Sequence, residues 1–373
     1  MRIAFLVTHL LGTGHLSRIM TLSAAFHERG HDVRVVSGGR PAPHLQRDGI
    51  DLVQVPSVAS DGINFTTLLR EDDTLASAEY LRHRKNLIVE SVANCRPDIL
   101  VTELFPFGRR VLMEEFLAVL NAVQGARPRP GIFASVRDIP APPSGPEKAM
   151  QTESILAEFY DGVFVHSDPA ITPLATSWPV TPTLEARLIY TGYVAPAPPE
   201  PHPAGLGTGE VLVSAGGGRV GRTLYETAIA AAAGSDLTWR LLVAGSDTTA
   251  EVARLQKAAP GHVIVEPPRR DFRAMLHHAA ASVSMCGYNT AIDLLQTGCP
   301  SVLIAFDDGG EVEQTLRAER LSHSAQFQVL KSAQLSPKTL ADRVRKIAGG
   351  RRFIPEISFN GAARMVEHVE SVF

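Results

Sequence analysis

Apolar runs of strand length alternate with amphipathic stretches of helix length along almost the whole chain. Strands are expected at 3–8, 32–37, 50–55, 98–103, 131–136 and 162–166, with helices at 16–29, 80–94 and 110–123. The last helix carries apolar residues at Val111, Leu112, Phe116, Leu117, Val119 and Leu120. Such alternation means βαβ units and a parallel sheet buried on both faces. Residues 194–209, VAPAPPEPHPAGLGTG, interrupt the pattern. Proline, alanine and glycine cannot build a core there, and proline stiffens the segment into an extended interdomain linker. The pattern then restarts, with strands at 210–214, 239–244, 263–266, 281–285 and 301–305 and helices at 222–233, 252–258, 271–278, from about 289, and 313–319. The expected division is 1–193, a linker at 194–209, 210–350, and a helical tail at 351–373. Two α/β halves of this kind place a cleft at the carboxyl ends of both sheets, where open α/β sheets bind ligands.

A chain of 373 residues, 45% hydrophobic and 20% charged, has enough length for two ordinary domains. A net charge of -3 implies no basic face, so no nucleic-acid partner is expected. Cys95, Cys286 and Cys299 are odd in number and widely spaced, which argues against a disulfide framework and a structural zinc site. The apolar start leads quickly into Gly12, Thr13 and Gly14 and reads as a first strand rather than a signal peptide. No run approaches the length of a membrane span, so a cytoplasmic protein is expected.

The chemistry concentrates where strands hand over to helices. After the first strand come Gly12, Thr13, Gly14 and His15. The glycines allow close backbone approach, the helix start favours anions, and His15 can act as a general base or hold a substrate oxygen. A tight turn with a surface histidine is the equal alternative. Ser214-Ala215-Gly216-Gly217-Gly218-Arg219-Val220-Gly221 follows a strand in the second half. It reads as a phosphate-cradling nest with Arg219 as counter-charge, and lacks the GK[ST] of a Walker loop. The segment VSMCGYNTA ends a strand and opens a helix near Asn289, with Asp293 one turn on. A helix start suits a phosphate and the carboxylate suits a ribose, so a sugar nucleotide or a molecule of that shape is expected here. The alternative is a plain cap supplied by Asn289 or Thr290. The acidic loop from Phe306 through Asp307, Asp308 and Glu311 to Glu313 and Gln314 could bond sugar hydroxyls or merely complement a helix dipole. Glu103 ends a strand, so its carboxylate is expected to face the cleft and to take a proton from an acceptor hydroxyl. Arg109, Arg110 and Arg137 could hold an anionic acceptor, against the alternative of an ion-paired loop.

Together these residues resemble the GT-B glycosyltransferases, in particular the MurG-like branch with its group of predicted glycosyltransferases. The resemblance covers nearly the whole chain and is carried by SAGGGRVG, MCGYNTAIDLLQTGCPSVLIAF, Glu313-Gln314, FPFGRR and SVRDI. It implies two Rossmann-like α/β domains, an acceptor-binding first domain, and a second domain that binds a nucleotide-diphosphate sugar. The diphosphate would lie on Gly216, Gly217, Gly218, Arg219, Gly287, Asn289 and Thr290, the ribose on Asp293, and the donor sugar near Glu313 and Gln314. Gly14 and its loop would approach the acceptor, and the tail would cross back onto the first domain. Relatives often carry Glu where this chain has Asp293, and Asp where it has Glu103.

The function expected is metal-independent, inverting transfer of a hexosyl or N-acetylhexosaminyl group, with a UDP-sugar as donor and His15 or Glu103 as base. No DxD pair is present, since Asp307 and Asp308 are adjacent, so backbone N–H groups and Arg219 would steady the leaving group. Domain closure would exclude water. The acceptor hydroxyl would belong to a lipid-linked molecule or a natural product. Phe105 and Phe107 beside the arginines raise peripheral docking on the inner face of a membrane. The alternatives are a nucleotide-sugar epimerase or hydrolase on the same fold, and a non-catalytic nucleotide-sugar-binding protein.

Overall fold

A computed structural model describes residues 1–60, 67–215, 219–245, 247–305 and 312–373. The chain divides into two compact units, one formed by Met1–Ala195 with Ser358–Phe373 and the other by Pro196–Ile357.

In the first unit the strands are β1 (Arg2–Val7), β2 (Asp32–Ser37), β3 (Asp51–Gln54), β4 (Ile99–Glu103), β5 (Gly131–Arg137), β6 (Gly162–His166) and β7 (Leu188–Tyr190). Its helices are α1 (Gly14–Glu28), α2 (Ala78–Cys95), α3 (Met113–Gln124), α4 (Pro146–Phe159) and α5 (Pro182–Glu185). All strand pairs are parallel, in the order β3-β2-β1-β4-β5-β6-β7. The apolar runs face both ways because both faces are covered. Ile3, Phe5, Val7, Ile99, Val101, Phe133 and Phe164 pack under α1. Ala4, Leu6, Leu100, Ile132 and Val163 pack toward α2, α3 and α4 on the other side.

The second unit repeats the plan with β8 (Val211–Ser214), β9 (Trp239–Leu242), β10 (Val263–Glu266), β11 (Ala281–Met285), β12 (Ser301–Ala305) and β13 (Phe327–Lys331). They alternate with α6 (Arg219–Ala232), α7 (Thr248–Ala258), α8 (Phe272–Met275), α9 (Tyr288–Thr297), α10 (Glu313–Leu321) and α11 (Pro337–Ile347). The order is β10-β9-β8-β11-β12-β13, again parallel throughout. The strand order thus reverses once in each sheet, between β1 and β4 and between β8 and β11. Those switch points are where open α/β sheets take ligands.

The sequence reading does not place α4, α5, β7, β13 and α11, although Ile155, Leu156 and Phe159 in α4 and Leu340, Val344 and Ile347 in α11 are buried at helical spacing. The last helix, α12 (Gly361–Val372), belongs to the first unit and buries Met365, Val366 and Val369 in the core beside α1. The proline-rich stretch is not an isolated connection from Pro196 onward. Arg273, Gln296 and His277 donate to the carbonyls of Ala197, Pro196 and Pro199, and His202 meets Asp271 at 3.1 Å. Side chains of the second unit satisfy this backbone and draw the segment into that unit. No helix among the described residues is long and apolar enough to cross a membrane.

Candidate functional site

At the first switch point, β1 runs through a loop with Gly12 at φ +61° into α1, whose first turn carries His15 and Arg18. They stand three positions apart, so both project from one side of the helix. Below lie the ends of three neighbouring strands. Val101 is followed two residues on by Glu103, Phe133 by Ser135 and Phe164 by His166, and alternate strand residues share a face. A row of core residues therefore ends in a row of buried polar ones, each no more than 1% exposed.

Glu103 is the hub. Its Oε1 lies 2.8 Å from His15 Nδ1 and accepts from Arg18 Nη2, while its Oε2 accepts from Ser135 Oγ at 2.7 Å. Burial works to raise this carboxyl, but the charge of Arg18 and the hydrogen bonds from His15 and Ser135 outweigh it and hold the pKa at about 2. Glu103 is therefore an anion with both oxygens engaged. It does not present an open carboxylate to an acceptor, as the sequence had suggested. An anion can only accept, so His15 carries its proton on Nδ1. Arg18 Nη2 also stands 3.3 Å from Nδ1, a contact that follows from both groups sharing Oε1. Burial pushes His15 down to about 3 against the pull of Glu103, which leaves the imidazole neutral with a bare Nε2. Nε2 has no partner among the described residues, and the side chain retains 14% exposure.

The other expected acceptor residues are more committed to the fold. Arg109 donates from Nε to the Thr8 carbonyl at 2.5 Å, and burial lowers its pKa to about 10, still well into the charged range. Arg110 reaches Thr152 Oγ1 at 3.3 Å and lies over the Trp178 ring. Arg137 ends β5, and Gly14 is exposed at the first position of α1. Phe105 and Phe107 are core residues, 0% and 2% exposed, packed on Phe116 and Trp178. Their hydrophobicity is spent inside, so they form no membrane-docking surface.

At the second switch point, β11 runs into α9 with Gly287 as the N-cap residue. Neither Asn289 nor Thr290 caps the helix, and its first turn holds no acidic residue. The same holds for α1. No side-chain cap is present at the start of α9 among the described residues, and a helix start of this kind suits an anion. Asp293, one turn along, receives Arg273 Nε on Oδ1 at 2.6 Å, and Arg273 Nη2 donates to Gln296 at 2.6 Å. Oδ2 has no hydrogen-bond partner among the described residues. Burial raises the Asp293 pKa against the opposing pull of Arg273. Glu313 opens α10 and accepts from Arg317 Nη2 at 2.7 Å, and Arg317 Nη1 donates to the Cys286 carbonyl at 2.8 Å, tying α10 to the entry of α9. Gln314 has a buried Oε1 without a donor among the described residues. Gly216, Gly217, Gly218 and the loop 306–311 lie outside the described residues, and Arg219 is described only as the first residue of α6. Among the described residues there is no cluster of three or more His, Cys, Asp or Glu fit to hold a metal.

Sequence reading missed Arg18, Ser135, His166 and Arg273. The first three carried a signal: each is polar at a position where the helix or strand pattern calls for a buried apolar residue. Arg273 carried none, because its partner is twenty residues away in another element.

No protein-family model matches the chain, and no curated protein matches it in sequence. Solved structures do. MurG of Acinetobacter baumannii is similar over 99% of both chains, with a TM-score of 0.65 at 12% identity. The glycosyltransferase VinC, in complex with dTDP, is similar over 99% of this chain and 94% of its own, with a TM-score of 0.61 at 16% identity. Phytolacca americana UGT2, complexed with UDP-2-fluoro-glucose and pterostilbene, is similar over 100% of this chain and 94% of its own, with a TM-score of 0.62 at 14% identity. The two Rossmann-like units of this chain therefore make up the GT-B fold of these glycosyltransferases.

Proposed function

We propose that the protein is an inverting, metal-independent glycosyltransferase that moves a sugar from a nucleotide-diphosphate donor to an acceptor hydroxyl. The observation that carries this reading is the pairing of neutral His15 with anionic Glu103 at the first switch point. His15 Nε2 takes the proton of the acceptor hydroxyl as its oxygen forms a bond to the anomeric carbon. The bond from that carbon to the donor diphosphate breaks in the same displacement, with inversion, and the nucleoside diphosphate leaves with the electron pair. Glu103 faces the imidazolium that results and steadies it. A base of such low pKa has little driving force, so proton transfer runs together with bond formation rather than ahead of it.

The N-terminus of α9 suits the departing diphosphate, with Asn289, Thr290, the Gly216–Gly218 segment and Arg219 as further contacts on this reading. Asp293 Oδ2 suits a ribose hydroxyl, and Glu313 with Gln314 the donor sugar. A UDP-hexose or UDP-N-acetylhexosamine is the donor on this reading, and dTDP is the competing nucleotide that the bound ligand of VinC brings in. The acceptor is a natural product or lipid-linked molecule whose hydroxyl reaches His15, with Gly14, Arg109, Arg110 and Arg137 around it. Work at the inner face of a membrane remains part of the proposal only through such a lipid-linked acceptor.

Thermal-shift measurements with UDP, dTDP and their sugars, without metal, test the donor site on wild type and Asp293→Ala. Stabilisation by one nucleotide that weakens in the variant supports the assignment, and no shift with any of them overturns it. Turnover of the donor at full rate without an acceptor would point instead to an epimerase or hydrolase. Donor binding without turnover, with function unchanged by the loss of His15 and Glu103 together, would leave a non-catalytic nucleotide-sugar-binding protein.

A further inference from the structure

We propose that Ser135 and His166 are positioning residues for His15, acting through a one-way chain of hydrogen bonds that runs from Thr191 through His166 and Ser135 into Glu103. The kinetic consequence rests on the transferase reading; the order of the hydrogen bonds does not.

The direction of each bond follows from what each atom can donate. Glu103 is an anion and only accepts, so the Ser135 hydroxyl proton points to its Oε2 across 2.7 Å. Ser135 Oγ is then free only to accept, and His166 Nε2, 3.1 Å away, must supply the hydrogen. Burial beside Arg18 lowers the His166 pKa to about 3, so the ring is neutral and its Nδ1 is bare. Nδ1 therefore accepts from Thr191 Oγ1 at 2.9 Å. Thr191 has one proton, and giving it to His166 turns the hydroxyl from its other acceptor, the Gly192 carbonyl at 3.0 Å. At the far end Glu103 Oε1 faces His15 Nδ1 at 2.8 Å. Each of these hydrogens is used once, the arrangement places a proton on His15 Nδ1, and the burial that keeps the ring neutral leaves none on Nε2.

Three adjacent strands hold the relay in register. Glu103 pairs with Ser135 across β4 and β5, and His166 lies two residues beyond the partner of Ser135 on β6, on the same face. Glu103, Ser135, His166 and Thr191 are all 1% exposed or less, so water cannot substitute for a missing link. The charged groups that face the pair are Arg18 from α1 and Arg109 from the loop after β4, and both favour neutral His15. Without Ser135, Glu103 keeps Arg18 and His15 but loses the one donor that the described residues give Oε2. The carboxylate then draws more strongly on His15 and is free to rotate away from it.

The test uses the full-length chain labelled with ¹⁵N-histidine, with two-bond ¹H–¹⁵N correlation spectra recorded from pH 4 to 9. His15→Gln and His166→Gln identify the two rings. The expected wild-type result is His15 in the Nδ1–H form and His166 in the Nε2–H form, neither titrating near 6.5. Ser135→Ala should raise the His15 pKa and mix the His166 tautomers, and Ser135→Thr should restore both. The transferase kcat should fall roughly tenfold in Ser135→Ala with KM little changed, the size expected for one hydrogen bond to a charged group. A lower melting temperature with an unaltered His15 tautomer and titration would mean a structural role alone and would overturn the proposal. Should the variants not fold, the wild-type spectrum decides: His15 as the Nε2–H form, or titrating near 6.5, rejects it. The tautomers can be as expected while no donor is turned over, which would reject the transferase reading and leave the relay standing.

Discussion

At the scale of single residues, the buried cluster under α1 makes two predictions about acid. Histidine ordinarily titrates near 6.5, so an enzyme with an exposed histidine base loses activity as pH falls through that value. Here burial holds His15 at about 3, so its unprotonated form persists well below neutrality. The pH profile of kcat/KM should stay flat through 6.5 and fall only in more acidic solution. A limb centred at 6.5 would show that His15 is not the base or is not buried as described. Stability runs the other way. Unfolding returns His15 and His166 from about 3 to about 6.5 and Glu103 from about 2 to about 4.5. The unfolded chain therefore binds more protons from about pH 6.5 down to pH 2, and stability drops throughout that window as acid is added. A melting temperature that falls from pH 7 to pH 4, less steeply in His166→Gln, is the expected outcome. Removing one partner of a buried ion pair is more damaging than changing pH. Glu103→Ala strands the Arg18 guanidinium, which is 7% exposed and whose Nε already has no partner among the described residues. A loss on the order of 3–5 kcal/mol is expected by urea denaturation, against a smaller loss in Glu103→Gln.

At the scale of elements, the two switch points were legible in the sequence and the relay was not. Glycine after an apolar run marks a turn into a helix, so GTGH, with Gly12 and Gly14, and CGYNT, with Gly287, fall at helix starts on sequence grounds alone. Glu103 could be placed at a strand end for the same reason, but its surroundings could not. Whether a strand-end carboxylate faces solvent or a buried guanidinium depends on how a helix packs over the sheet, and Arg18 lies eighty-five residues earlier. The edge strand β7 is three half-buried residues and carries too little alternation to be read, whereas α4 and α11 bury residues at helical spacing and were legible but overlooked. The helix start of α9 offers a test with two opposite signs. Gly287 has φ −66° and ψ 158°, and a Cβ added there meets no atom within 4 Å. Gly287→Asp should therefore supply the missing side-chain cap, worth roughly a few tenths of a kcal/mol over glycine, and slightly raise the melting temperature of the free protein. The same carboxylate occupies the N–H groups that suit a diphosphate and repels its charge. The thermal shift produced by UDP or dTDP should shrink or vanish. A variant that gains stability and keeps the full nucleotide shift would remove α9 from the donor site.

At the scale of the whole molecule, two units with separate cores do not have to unfold together. The first unit is completed by the far end of the chain. Met365, Val366 and Val369 of α12 lie in its core, and Glu370 accepts from Arg29 at 2.5 Å and meets His31 at 3.0 Å. Three buried apolar side chains contribute roughly 1.5–3 kcal/mol each. Their sum is on the order of 5–9 kcal/mol, comparable with the 5–15 kcal/mol that separates an average folded domain from its unfolded state. Deleting residues 358–373 should therefore unfold the first unit, or bring its transition down to room temperature, while leaving Pro196–Ile357 folded. The expected donor residues Gly287, Asn289, Thr290 and Asp293 all belong to that second unit. A nucleotide at a hundred times its dissociation constant adds about 2.7 kcal/mol to the unit that binds it and nothing to one that does not. Calorimetry of the full chain should then show UDP or dTDP moving a single transition, and the truncated chain should keep that transition and its shift. The shift would disappear on truncation only if nucleotide binding drew on the first unit, and that result would take the donor site away from α9 and Asp293 altogether.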